Sequence, residues 1–282
     1  MTCPNRDGTC GERGCIFCAG GSGDFAVQYN GQRLCEDDLS FNHHKAGNGN
    51  YIGYFQAYTN TYAPADKLEH LFEAALSDPL FAGISIATRP DCFSEEIYAL
   101  LQALKERHPD KFIWIELGLQ TIHEKTAAYI RRGYPLSVFE ECIRNLHALG
   151  IPAIVHVIIG LPEESEEDVV ATVRYLSRIG IAGIKLQLLH YLRDTDLGRE
   201  YMAHPERFHV LTMEEYVHLT ALCIGSLAED IVIHRLTGDG NREELLAPLW
   251  SLDKRRVINA IQHELKIRQI TQGIFWQDKN NI

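Results

Sequence analysis

Four of the eight cysteines in this 282-residue chain fall within its first eighteen residues, in the run Cys3-Pro-Asn-Arg-Asp-Gly-Thr-Cys10-Gly-Glu-Arg-Gly-Cys15-Ile-Phe17-Cys18. Glycines and charges separate them and no apolar periodicity runs through the segment, so it reads as a loop rather than a packed element. Thiolates grouped on a loop are soft ligands suited to zinc or to an iron–sulfur cluster, and the glycines let backbone amides turn toward a bound anion or toward cluster sulfides. The number of ligands decides the chemistry. Four cysteines on one metal make a closed structural zinc; three on a four-iron cluster leave one iron open to an exogenous ligand.

Beyond this loop the pattern alternates between strand and helix. Residues 24–50 are polar and rich in Gly and Asn, a long connection whose adjacent His43 and His44 read as solvated. Strands are predicted at Tyr51–Phe55, Gly83–Thr88, Phe112–Gly118, Ile151–Ile159 and Ile181–Leu189, the fourth apolar enough to be buried on both faces. Helices are predicted from Pro64 to Leu76, from the N-cap Ser94 to His108, from Leu136 to Leu149 before Gly150, and from Ser165 to Ile179 before Gly180. Successive β/α steps mean a parallel sheet with right-handed crossovers, closed or partly closed as a barrel. In such sheets chemistry gathers at the C-terminal strand ends. The polar residues fall there: Gln56 to Asn60, Thr88 to Cys92, Glu116 to Thr121, Glu163 and Glu164, and Gln187 to His190.

After His190 the pattern changes. Leu192–Phe208 reads as irregular, Met213–Glu229 as a helix, Ile231–Leu236 as a short strand, Leu252–Lys266 as an amphipathic helix, and the tail from Thr271 as frayed. The predicted division is a core over 1–190 that includes the cysteine loop, and an α-rich extension over 191–282 that caps it, with His234, Arg235 and Asp239 as its site candidates. The net charge of −11, from 27 basic and 38 acidic residues, weighs against nonspecific nucleic-acid binding while leaving room for a local basic groove. No apolar run is long enough to span a bilayer and no leader precedes the cysteines, so the expectation is a cytoplasmic protein without a membrane partner. Disulfides are not expected there, which makes Cys35, Cys92, Cys142 and Cys223 buried or incidental thiols.

The blocks C-P-N-R-D-G-T, G-C-I-F-C, F-Q-A-Y-T-N-T-Y-A-P, T-R-P-D, E-L-G-L-Q-T, I-I-G-L-P-E-E, H-R-L-T-G-D and A-P-L-W-S-L occur in the order found in the YhcC/YtqA-type radical S-adenosylmethionine (SAM) proteins, which this chain resembles over most of its length. That family is similar to the Elongator catalytic subunit and, more remotely, to oxygen-independent coproporphyrinogen oxidase. The resemblance implies a partial (β/α)6 barrel and a [4Fe-4S] cluster held by Cys3, Cys15 and Cys18, with Cys10 matching no position of the family pattern. It implies SAM as cofactor, with Phe17 and Gly160 near the adenine, Gln56 and Asn60 where related enzymes hold the amino group, and Thr88 and Arg89 facing the ribose or carboxylate. Glu116 and Gln120 would reach cofactor or substrate as catalytic residues. The structural alternatives are a buried ion pair for Glu116 and Arg89 and a plain turn for Gly160.

The implied activity is reductive cleavage of SAM to a 5′-deoxyadenosyl radical, fed by an electron donor such as a flavodoxin or ferredoxin. The implied substrate is a tRNA wobble uridine, with Arg131, Arg132, Arg235, Arg242, Arg255 and Arg256 as a footprint if folding gathers them. The competing readings are a small metabolite, or a noncatalytic zinc-binding scaffold. In the radical SAM barrel a strand precedes the cluster loop, yet Cys3 is the third residue here; the expectation is a barrel apparently lacking its first strand, with the true start upstream.

Overall fold

The computed structural model describes residues 1–20, 51–238, 240 and 242–277. The predicted connection over 24–50, with Cys35, His43 and His44, lies outside the described residues, as does Asp239. The chain forms two compact units. One comprises Met1–Glu12, Gly20–Gly118 and Ser137–Ala153, the other Arg13–Ala19, Leu119–Leu136 and Ile154–Ile282.

In the first unit, strands β1 (Tyr51–Phe55), β2 (Phe81–Thr88) and β3 (Phe112–Gln120) run parallel, with Ile52 opposite Gly83 and Gly83 opposite Phe112. Gly83 is fixed by that register: a Cβ there would lie 2.3 Å from the Phe112 carbonyl oxygen. Helix α1 (Ala65–Ser77) buries Leu68, Phe72, Ala75 and Leu76, a single stripe at helical spacing, and Phe72 meets Phe55 of β1 edge-on at 5.1 Å. Helix α2 (Glu95–Arg107) starts where expected because Ser94 accepts the amide of Ile97. Helix α4 (Leu136–Ala148) ends before Gly150, whose φ of +59° suits a residue without a Cβ.

The second unit also has three parallel strands: β4 (Ala153–Ile159), β5 (Gly183–Leu188) and β7 (Val232–Arg235). Thus the strand within the stretch assigned to the extension pairs directly with β5. Gly183 is again explained by a neighbour, since a Cβ there would lie 2.6 Å from the His234 ring on β7. Helix α5 (Glu166–Ile179) opens on a capping box between Ser165 and Asp168 and closes on left-handed Gly180. Helices α7 (Met213–Ser226) and α8 (Lys254–Ile267), and a short antiparallel pair of β6 (Tyr191–Leu192) with β8 (Leu245–Ala247), complete the unit's C-terminal part.

Two local expectations are corrected and one helix is added. The stretch Leu192–Phe208 holds helix α6 (Asp196–Ala203), started by Thr195, whose hydroxyl accepts the Gly198 amide at 2.9 Å. A short helix α3 (Glu124–Tyr129), masked in the sequence by its length, follows β3. The tail is docked rather than frayed as far as Phe275. Phe275 N–H donates to the Gly225 carbonyl at 2.7 Å, and Gln272 donates to the Ala228 and Ile231 carbonyls.

Candidate active site

In the first unit the N-terminal loop is fastened to the segment after β1. Thr59 N–H donates to the Thr2 carbonyl, the Thr9 and Tyr62 hydroxyls meet at 2.8 Å, and Cys10 N–H donates back to the Pro4 carbonyl. Cys3 is half-exposed and Cys10 exposed. Asn60 is buried, and its amide group donates to the Phe55 and Ala87 carbonyls, both at 2.9 Å, which clamps the ends of β1 and β2 and leaves Oδ1 as the side-chain atom able to meet a cofactor. Gln56, just past β1, is half-buried.

At the end of β2, Thr61 donates its hydroxyl proton to the Cys92 carbonyl at 2.7 Å, so in the 2.6 Å contact with Thr88 the Thr88 hydroxyl is the donor. The Thr88 hydroxyl is therefore left with acceptor capacity alone. Arg89 makes a two-pronged pair with Asp91, at 2.9 Å from Nε and 2.7 Å from Nη2, which fixes the guanidinium plane. On β3, the buried Glu116 carboxylate accepts the Ser85 hydroxyl at 2.7 Å and the Tyr54 hydroxyl at 2.9 Å. The Cys92 thiol is pushed up to about 12, by burial first and by the Asp91 charge next, with smaller contributions from Cys3 and Cys10, against the pull of Arg89.

The second unit carries the other cysteines of the loop. Cys15 and Cys18 lie on one turn, closed by a bond of 3.0 Å from Cys18 N–H to the Cys15 carbonyl, and both are half-exposed thiols. Phe17 packs, partly buried, on a core made of Ile16, Ile130, Ile158, Leu161, Leu189 and Leu197 with Tyr191 and Ala247. Gln120 ends β3 at a φ of +70°, an uncommon conformation for a residue with a side chain. Gly160 has a φ of +89°, and a Cβ there would lie 2.9 Å from Leu211. Backbone conformation and the Leu211 contact thus require the glycine without any ligand. It lines a cavity of about 440 Å³ together with Tyr129, Glu164, Glu200, Phe208 and His209. Burial lifts the Glu164 carboxyl above the usual range, opposed by a hydrogen bond from Thr121, the charge of His123 and a hydrogen bond from Thr126.

Among the arginines, Arg132 is 2% exposed and donates to the Thr121 and Tyr134 carbonyls, so it is removed from any surface footprint, whereas Arg242, Arg255 and Arg256 are exposed. Sequence reasoning missed Asp196, which binds Arg13, Arg131 and Arg199. The signal available was Thr195-Asp196, an N-cap followed by an acidic first turn. Among the described residues no three His, Cys, Asp or Glu side chains stand close enough to hold a metal ion in common. No helix among the described residues is long and apolar enough to cross a membrane.

The sequence model of the radical SAM superfamily matches residues 8–176, and that of the Radical_SAM C-terminal domain matches 181–267. The chain is 40% identical to the uncharacterized protein YtqA of Bacillus subtilis, over 98% of this chain and 85% of YtqA. It is 33% identical to protein YhcC of Escherichia coli, over 89% of this chain and 79% of YhcC. Among solved structures, the archaeal Elp3 of Methanocaldococcus infernus with residues 1–46 deleted superposes with a TM-score of 0.66, at 14% identity, over 78% of this chain and 55% of that one. This likeness shows the fold, the partial (β/α) barrel with a helical C-terminal part that the sequence implies. A superfamily match over more than half the chain, joined to relatives at 40% and 33% identity of which it covers 85% and 79%, makes this protein a member of the radical SAM superfamily, an enzyme that works with a [4Fe-4S] cluster, S-adenosylmethionine and an electron donor.

Proposed function

We propose that Cys3, Cys15 and Cys18 hold the cluster, that residues at the strand ends bind SAM, and that the substrate is a tRNA wobble uridine. The cluster assignment is carried by the Cys15–Cys18 turn, where two half-exposed thiols are presented by a backbone bonded at 3.0 Å. Its donor chemistry fits: thiolates are the ligands iron–sulfur clusters take, and three of them match the family's spacing while Cys10 does not. Held by these thiolates, a reduced cluster would supply one electron for the reductive cleavage of SAM to methionine and a 5′-deoxyadenosyl radical, the species that would take a hydrogen atom from the substrate.

The chain's own residues bind and orient. Asp91 holds the plane in which Arg89 meets a carboxylate, Thr88 and Asn60 Oδ1 offer acceptors, and Phe17 offers an aromatic face beside the ligand turn. Glu116, fixed by Ser85 and Tyr54, is an acceptor for the cofactor or substrate, and Gln56 and Gln120 contribute amides. Gly160 lets the cavity wall come close to the adenine. A flavodoxin or ferredoxin in the cytoplasm supplies the electron. The boundary at residue 190 separates the radical SAM core from a C-terminal extension that forms the substrate side and also lends β7 to the core strand β5.

The tRNA reading rests on the resemblance to the Elongator catalytic subunit and is favoured by three guanidiniums, of Arg13, Arg131 and Arg199, gathered on one carboxylate. The net charge of −11 favours a second reading, a small metabolite, because a protein that grips tRNA by its phosphates needs a basic footprint. Two measurements decide. The anaerobically reconstituted enzyme with reductant and SAM should release 5′-deoxyadenosine; a colourless, zinc-loaded protein that leaves SAM intact would support the scaffold instead. In nucleoside mass spectrometry of bulk tRNA from a strain lacking the gene, a wobble-uridine precursor should accumulate and disappear on complementation with wild type but not with Cys15→Ala. An unchanged nucleoside profile, aerobic and anaerobic, ends the tRNA reading in favour of a metabolite.

A further inference from the structure

The Cys15–Cys18 turn is gripped from several sides within its own unit. Ile16, 4% exposed, is its apolar peg; the Ile16 N–H donates to the Ile130 carbonyl at 3.2 Å, and its carbonyl accepts the Leu197 N–H at 2.9 Å. The Cys15 thiol donates to the Arg131 carbonyl at 3.6 Å. Each of these contacts has a neighbour that ends on a single carboxylate. Asp196, whose side chain is 11% exposed, binds Arg13, two residues before Cys15; Arg131, at 2.5 Å, whose carbonyl takes the thiol; and Arg199, one turn along α6. Leu197, the next residue, supplies the amide that holds Ile16.

Three charge-assisted bonds converge on this one carboxylate; the guanidiniums are 63%, 44% and 54% exposed, so the hold comes from their acting together at one point rather than from any single pair. Burial alone would raise the Asp196 carboxyl, but the hydrogen bonds from Arg131 and Arg199, with the charges of Arg131 and Arg13, hold it below the usual range. Helix capping does not account for the arrangement, because Thr195 already caps α6.

We propose that Asp196 is a positioning residue for the Cys15–Cys18 edge of the cluster, tying the residues before the turn, the segment beneath it and helix α6 to one point. The inference rests on the ligand assignment above. It gives the C-terminal domain a part in seating the N-terminal loop's thiols, through Arg13 and Arg131.

The test uses Asp196→Asn, which keeps the shape and removes the charge. In the full-length apoprotein, native alkylation by iodoacetamide is followed at each cysteine by peptide mass spectrometry. Cys15 and Cys18 should react about fivefold faster or more in the variant, while Cys3 and Cys10 keep their rates, because only the local opening of the turn is eased. Arg199→Gln, which removes the arm that does not reach the turn, should leave both within about twofold of wild type. After reconstitution, Asp196→Asn should lose iron to a chelator about fivefold faster than wild type and show a shifted electron paramagnetic resonance spectrum for the reduced cluster. Wild-type reactivity at Cys15 and Cys18 overturns the proposal. If the buried Cys142 and Cys223 also become reactive, the variant has unfolded, and Arg13→Gln, which leaves α6 untouched, takes its place with the same two outcomes. A wild-type protein that takes up no iron would end the cluster reading while leaving the alkylation result to decide Asp196, so the two fail separately.

Discussion

Arg132 should be among the most costly residues to change in the second unit, although it touches neither proposed cofactor. Its guanidinium is 2% exposed and donates from Nη1 to the Thr121 carbonyl at 2.6 Å and from Nε to the Tyr134 carbonyl at 3.0 Å. It also lies 4.8 Å over the Tyr134 ring. Both acceptors belong to buried residues, at 0% and 7% exposure, so Arg132→Met would strand two carbonyls away from water. Hydrogen bonds from a charged donor contribute about 1.5–3 kcal/mol each. Removing a buried charge returns part of that through relief of its desolvation, so the net loss should be about 3 kcal/mol. In a chain of this size that lowers Tm by roughly 6–12 °C. The partner carboxylate of Glu124 is 57% exposed at 3.2 Å, and such a pair is worth under about 1 kcal/mol, so Glu124→Gln should move Tm by about 3 °C or less. Thermal melting of the two apoprotein variants followed by circular dichroism checks both. An Arg132→Met shift no larger than that of Glu124→Gln would refute the reasoning, since the buried guanidinium would then be doing no more than a surface charge.

Two further outcomes are expected. Iron analysis of reconstituted protein should show the cluster lost in Cys3→Ala, Cys15→Ala or Cys18→Ala and kept in Cys10→Ala; loss with Cys10→Ala alone would mean a fourth ligand and a different centre. The imidazole of His190, at the end of β5, is lowered from 6.5 to about 4, by burial first and by the charge of Lys254 second. Between those limits the unfolded chain takes up a proton that the folded chain refuses, so stability present above pH 6.5 is progressively lost as pH falls to about 4, by about 3 kcal/mol. Urea titrations of wild type and His190→Leu should therefore show the wild type losing ground to the variant across that window, and a difference independent of pH would contradict it.

Much of the fold was written locally. The six predicted strands, and the four helices predicted between Pro64 and Ile179, were legible because most carry their own periodicity and their own punctuation: Ser94 and Ser165 as N-caps, Gly150 and Gly180 as ends. The cysteine segment was legible as a loop for a related reason, since its glycines and charges carry no apolar periodicity. Helix α6 was not, because eight residues with a modest apolar stripe read as a charged loop until Thr195 and the neighbouring core hold them. Nor was the fate of the arginines. Arg131 and Arg132 are adjacent in sequence, yet one reaches Asp196 at 2.5 Å and the other is buried on backbone carbonyls. Docking of residues 271–275 likewise depends on Gly225, whose missing Cβ leaves room for Phe275. Composition and periodicity determined which elements form, and the cysteine loop narrowed its chemistry to zinc or an iron–sulfur cluster, a choice that only the family resemblance makes. Tertiary structure alone decided which charges meet, because a carboxylate at 196 and guanidiniums at 13, 131 and 199 are brought together only when the chain between them has folded.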